Sequence, residues 1–312
     1  VLRAVTSPDQ LRTHPIVALR VVEAASRPNC RPSEIVTLLN QDPTLCARLL
    51  KAVNSAAYGL PRAVGSIDRA VIAVGMNKVR GLALGLSLPE ARPKGRYDTQ
   101  ARDHALASVG GAILARELAV RVSHSAPEDA LAAGLLRDVG GMMMQQAFPD
   151  AWAAVAAKGP DPLGEYRCDR EREVFGIDHA ELAAEVFAGW NLPADIAEPI
   201  RHHHAPDRLA NGPKLLADRA RLLWFSGLLA RIDTLVEYPA ELDRVLFLAE
   251  DRYDLDRAEL AEFMQGVWPK IDDYARLLSR DVGPCPNYVS IILKDGSDEL
   301  ARLSAAPVSR GG

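Results

Sequence analysis

The chain has 312 residues, 48% of them hydrophobic and 25% charged, a balance that supplies a sizeable core and excludes a disordered polypeptide. A net charge of −4 and a pI of about 6.0 leave no basic stripe of the kind a broad nucleic-acid footprint requires, so nucleic acid is not an expected partner. The four cysteines, Cys30, Cys46, Cys168 and Cys285, form no CxxC pair and no zinc-ligand spacing, and read as buried or free thiols in a reducing cytosol.

Helical periodicity dominates from the start, with Pro and Gly punctuating segments of helix length. Residues 8–90 are expected to form a first helical block. Within it Leu45, Leu49, Leu50 and Val53 repeat at helical spacing, Asn54 and Ser55 can cap or turn the chain, and Gly59 with Pro61 ends the helix. Gly81 and Gly85 make a smooth strip for close helix approach. The longest apolar run, Leu82–Leu88, is short and flanked by Lys78, Arg80 and Glu90, so membrane insertion is not expected. No charged segment followed by an apolar one opens the chain at Val1, and a cytoplasmic location is the expectation.

A turn-rich connection, residues 91–97, leads into a second block over 98–210 that holds six of the seven histidines. Ser125 with Glu128 and Asp178 with Glu181 have capping-box spacing, and Asp256 with Glu259 repeats it further on. Met142, Met143 and Met144 follow a Gly-Gly break and read as adaptable core packing, with a docking surface as the alternative. The run Asp169-Arg-Glu-Arg-Glu173 alternates in sign and reads as a solvated helix face. Residues 214–280 form a C-terminal helical extension, in which Leu260, Phe263, Met264, Val267 and Ile271 mark one apolar face. From 281 to 312 the chain reads as a tail or linker, with Tyr288–Leu293 as its one plausible strand. The fold class is all-α, a multi-helix bundle with additional C-terminal helices. No GxSxG nucleophile elbow is present.

Several segments carry a more specific signal. Leu39-Asn-Gln-Asp-Pro-Thr-Leu-Cys-Ala-Arg-Leu-Leu50, Val53-Asn-Ser-Ala-Ala-Tyr-Gly-Leu-Pro61 and Ser66–Met76 come first. Gly134-Leu-Leu-Arg-Asp-Val-Gly-Gly141, Phe175–Glu181, Trp190–Pro193 and Ile200–His204 follow in order. Over residues 10–210 the chain resembles the HDOD family, HD-related output domains of bacterial signalling proteins. The resemblance implies an all-helical fold like that of the HD metal-dependent phosphohydrolases, serving as a regulatory module.

An HD hydrolase brings imidazoles and carboxylates together to hold a divalent metal that activates water and neutralises phosphate. The resemblance places His104, the dyad positions Arg137 and Asp138, His179, and the pair His202 and His203 at positions of that site. His104 lies beside a small-residue face of Ala107, Ser108, Gly111 and Ala115. His203 falls at helical spacing from Ile196 and Ile200, which points it inward. Two ligands are lost. Arg137 stands in place of the dyad His, and a guanidinium has no lone pair for a metal. Gly227 stands where the resemblance calls for a final Asp; Asp218 and Asp233 are at the wrong offset.

The expectation is therefore a pseudoenzyme with no cofactor, in which Arg137 pairs with Asp138 or a neighbouring acid where the metal once sat. Any weak divalent metal would use His104, Asp138, His179, His202 and His203. The expected role is non-catalytic signal transduction through a protein partner or a fused output domain such as a diguanylate cyclase. Two alternatives stay open: a metal-dependent phosphohydrolase acting on a nucleotide or cyclic dinucleotide, and a small-ligand sensor that uses the former cleft.

Overall fold

The computed structural model describes residues 16–27, 29–55, 58–87, 106–122, 127–159, 161, 163–189, 194–278 and 280–294, and every regular element among them is helical. His104 and the Ser125 capping box lie outside the described residues.

The first block is built from α1 (Ile16–Ser26), α2 (Pro32–Leu39), α3 (Pro43–Val53), α4 (Ile67–Val74) and α5 (Met76–Ser87). Asp42 and Ser66 cap α3 and α4 by accepting backbone N–H groups of Leu45 and Arg69, each satisfying a donor the first helical turn leaves free. Asn54 closes the loop after α3: its side-chain amide donates to the Val64 carbonyl and its oxygen accepts the Val64 N–H, both at 2.8 Å. Leu45, Leu49 and Val53 are buried along one stripe of α3.

The second block opens with a π-helical turn, Leu106–Gly110, running into α6 (Gly111–Arg121). It continues through α7 (Pro127–Leu136), α8 (Val139–Ala147), α9 (Pro149–Ala156), α10 (Arg167–Phe175), α11 (His179–Gly189) and α12 (Ala194–Arg201). A 3₁₀ turn leads to α13 (Lys214–Leu229), which packs along α6 and α12. α6 is thus central, with α7 and α13 against it. The α6–α7 crossing is close because residue 134 has no side chain: a Cβ on Gly134 would lie 2.6 Å from the Ala112 Cα. Met143 and Met144 on α8 are buried in the core, as the packing reading expects.

α5 joins the first block to the second. A Cβ on Gly81 would meet Leu131 and the Tyr274 hydroxyl at 3.3 Å, and one on Gly85 would lie 2.8 Å from Leu278. The same seam carries a buried charge network. Asp129 on α7 accepts from Arg80 of α5 at 2.6 Å and from Arg219 of α13 at 3.2 Å, and Arg219 also donates to the Asp195 carbonyl at the start of α12. Shared carboxylates of this kind spare two buried guanidinium groups the cost of standing unpaired.

α14 (Pro239–Tyr253) and α15 (Arg257–Leu277) complete the C-terminal part, and Asp256 with Glu259 forms the expected capping box on α15. The segment Tyr288–Leu293 corrects the sequence expectation. It forms no strand but a short helix, α16 (Tyr288–Lys294), lying on α15 with Tyr288 and Ile292 buried. Its β-branched composition favours a strand, yet with no sheet edge among the described residues to receive it, α15 offers the apolar surface instead. Up to Lys294 this stretch therefore packs on the helical body instead of trailing from it as a linker.

Candidate functional site

Arg137 and Asp138 occupy the turn between α7 and α8, where the dyad was expected. Arg137 is 4% exposed, and its guanidinium is fully engaged. Nε and Nη2 donate to Asp138 Oδ2 at 3.0 and 2.8 Å, Nη1 donates to the Leu223 carbonyl of α13 at 3.2 Å, and Nη2 also reaches the Ala107 carbonyl of the π turn at 3.1 Å. The side chain threads between α6 and α13 through a gap lined by glycine. A Cβ on Gly111 would lie 3.0 Å from Nη1, and one on Gly227 only 2.5 Å from it. Gly227, where the resemblance leads one to expect a carboxylate, faces the guanidinium directly.

Asp138 has His179 Nε2 at 3.6 Å and Arg167 at 3.9 Å from Oδ1. Burial pushes its carboxyl upward, but Arg137, Arg167 and His179 outweigh that and hold it well below the usual carboxylate range.

His179, the first residue of α11, is wholly buried and fixed by Glu171 of α10. Glu171 Oε2 accepts both the His179 backbone N–H at 2.8 Å and Nδ1 at 2.6 Å, which leaves Nε2 turned toward Asp138. Arg167 Nε donates to the other Glu171 oxygen at 3.0 Å and its guanidinium stacks over Trp152. Burial raises the Glu171 carboxyl, yet its contacts with His179 and Arg167 bring it down to about 2. The solvated-face reading of Asp169–Glu173 is thus wrong for Glu171, which is 0% exposed. Cys168, Glu171 and Phe175 recur at helical spacing, and that stripe was the legible signal.

His203 Nδ1 donates to the Ile200 carbonyl at 2.7 Å, and its buried Nε2 has no partner among the described residues. Burial and the neighbouring His179 push the imidazole down to about 3, so it is neutral. His204 adds what the sequence reading missed: its Nε2 lies 3.2 Å from His179 Nε2, and burial first, then His203, keeps it far below the ordinary histidine range. His202, by contrast, stands apart from the cluster, 3.7 Å from Glu198 and partly exposed. α12 ends at Arg201 and the chain turns, so extrapolated helical spacing selects His203 correctly but not its inward-facing neighbour.

Among the described residues, two sets of three groups keep ligating atoms within 4.8 Å of one another: Asp138, His179 and His203, and Cys168, His179 and His204. In the second set burial, with Asp178 and Glu171 nearby, drives the Cys168 thiol far up, so it stays protonated and a poor ligand. Arg231, in the turn after α13, completes the surroundings; burial and its two guanidinium neighbours, Arg137 and Arg167, bring it down to about 10.

Arg137 and Asp138 thus occupy a turn between two helices of an all-helical bundle, with His179, His203 and His204 clustered beside them. The HDOD domain family model matches residues 11–206, and the chain belongs to that family. A Treponema pallidum (strain Nichols) protein of uncharacterised function is 27% identical over 208 residues, 63% of this chain, which spans only 38% of that protein's length. A solved protein from Marinobacter aquaeolei VT8, provisionally described as a signal transduction protein, is 25% identical with a TM-score of 0.59; the match covers 87% of this chain and 61% of that one. One from Shewanella amazonensis SB2B, provisionally described as a phosphohydrolase, shares the fold at 23% identity and a TM-score of 0.56, over 95% of this chain and 91% of its own. No helix among the described residues is long and apolar enough to cross a membrane.

Proposed function

We propose that this chain is a non-catalytic regulatory module of bacterial signal transduction, acting in the cytoplasm through contact with a protein partner or a fused output domain such as a diguanylate cyclase. The observation that carries the reading is the Arg137 guanidinium, bound through two nitrogens to Asp138 and packed against Gly227. The residues do not fit a divalent ion at the dyad. One Asp138 oxygen is committed to Arg137, glycine stands where the resemblance expects the final carboxylate, and Arg137 and Arg167 supply positive charge where a cation would have to bind. A fixed internal cation takes over the role of balancing Asp138, which keeps the helices in the HD arrangement without a metal.

A metal-dependent phosphohydrolase is the competing reading. Its support is that Asp138, His179 and His203 remain clustered, with Glu171 and the Ile200 carbonyl orienting the two imidazoles as outer partners of metal ligands do. Elemental analysis of gently purified protein, with a manganese-supplemented assay on a cyclic dinucleotide and on bis(p-nitrophenyl) phosphate, separates the two. No stoichiometric metal and no turnover are expected; about one equivalent of iron, manganese or zinc, or hydrolysis that Asp138→Asn abolishes, sinks the non-catalytic reading.

A further inference from the structure

We propose that the polar cluster beside Gly164 is a binding site for a small phosphate-bearing anion, with Arg231 as its charged anchor and Arg167 and His204 beside it. The proposal rests on the metal-free reading above and names the chemistry of the ligand that the altered centre takes.

The three guanidinium groups of the cluster are not equivalent. Arg137 is paired with Asp138, and Arg167 with Glu171. Arg231 has no carboxylate within 4.0 Å among the described residues. Its Nε donates to the Gly227 carbonyl at 3.3 Å, and Nη2 only grazes the Leu163 carbonyl at 3.5 Å. A helix C-cap explains the first of these contacts, because Gly227 offers one of the last carbonyls of α13. It does not explain why the forked end of the side chain is held half-buried beside Arg137 and Arg167, with Asp138 and Asp161 near enough to act on it but neither in direct contact. A partly desolvated, unpaired guanidinium is costly, and a ligand oxyanion supplies what the protein omits.

Arg231 is only partly buried, so solvent reaches its side chain. Gly164 has φ +72°, and a Cβ there would lie 3.2 Å from Arg231 Nη2 and 3.7 Å from His204 Cε1. The wall opposite the guanidinium is thus bare backbone. His203, whose ring lies 4.2 Å from that of His204, provides the second, independent sign of an unmet partner: its Nε2 is buried with no partner among the described residues, and with Nδ1 donating to the Ile200 carbonyl it is left as an acceptor for the P–OH of a protonated phosphate. Burial first, then Arg137 and Arg167, depress the Arg231 guanidinium against the opposing pull of Asp138 and Asp161, so the neighbouring cations favour an added anion.

Inorganic phosphate is the probe, titrated into the full chain after chelation and dialysis, at ionic strength held constant with chloride. Phosphate is expected to raise Tm saturably and to slow phenylglyoxal modification of Arg231, followed by mass spectrometry, with no protection of the exposed Arg252. Arg231→Gln is expected to weaken phosphate binding about tenfold or more, and Arg252→Gln to leave it unchanged. If Arg231→Gln does not fold, protection of Arg231 in the unaltered protein decides. Chloride matching phosphate, equal protection of both arginines, or undiminished binding in folded Arg231→Gln overturns the proposal. Phosphate binding that requires added manganese overturns both this site and the metal-free reading, whereas absence of binding in metal-free protein overturns the anion site alone.

Discussion

Arg137 fills the space that a side chain at position 227 would need: a Cβ on Gly227 would lie 2.5 Å from Nη1 and 3.0 Å from Cζ. Arg137 and Gly227, which stand where the resemblance expects a dyad histidine and a distal carboxylate, are therefore coupled in space. A guanidinium at 137 requires a glycine at 227, and it brings its own bond to the α13 backbone at Leu223.

This coupling predicts non-additive mutants. Gly227→Ala, which in a free helix would stabilise by roughly 1 kcal/mol, should here destabilise by about 1–3 kcal/mol through overpacking. Arg137→Ala should cost about 3 kcal/mol by stranding Asp138. Combined with Arg137→Ala, Gly227→Ala should lose most of its penalty. Urea denaturation of the four proteins measures the cycle; simple additivity would show that the two sites do not share space.

Glu171 and Glu173 stand two residues apart in one alternating charge run, yet they should behave oppositely. Glu171→Gln removes the acceptor that fixes His179 and pairs Arg167, and should destabilise by several kcal/mol, on the order of 3. Glu173→Gln on the exposed side should leave the denaturation midpoint where it was. Equal midpoints for the two variants would contradict the buried role of Glu171.

Acid should weaken the fold in two stages. His203 titrates at about 3 when folded, against about 6.5 in the unfolded chain. A depressed pKa means that the unfolded state binds the proton first, so this contribution is complete above about 6.5 and is lost as pH falls through the interval toward 3. Asp138 and Glu171 act in the same sense, with losses beginning only below about 4. Tm should accordingly fall between pH 7 and 5 in the unaltered protein. His204, held down by burial and then by His203, contributes in the same window, so His203→Asn, which retains a donor for the Ile200 carbonyl, should reduce that slope without abolishing it; a slope identical in both proteins refutes the assignment.

Ile292 is 0% exposed against the bundle, so Ile292→Ala should destabilise by about 2–5 kcal/mol, and deletion from Tyr288 onward by at least as much. Chemical denaturation reads both. A truncated protein with an unchanged midpoint would return this segment to the status of a linker.

Much of the site was visible in the sequence because its anchors are local. Asp178 caps α11 beside His179, the dyad turn follows directly on α7, and His203 obeys the spacing of Ile196 and Ile200. What escaped depended on where helices stop and on what faces what. His204 turns inward because α12 ends at Arg201, and Glu171 is buried because α11 covers α10. Arg231 joins the cluster only through the packing of α13 against the second block, which no local pattern encodes. α16 was misread because β-branched residues signal a strand only if a neighbouring strand exists.

The bridge made by Asp129 has a consequence for what counts as one folding unit. The family match ends at 206, before Arg219, yet Arg219 and Arg80 grip the same carboxylate from opposite ends of the chain. A fragment cut at the family boundary keeps Asp129 and Arg80 but loses the second guanidinium, and it lays open the face of α6 that α13 covers. Neither half can relax independently without leaving charge stranded in an apolar seam. A relative motion of the two halves would have to carry them as one body or break that seam outright, which favours an all-or-none change over a graded one.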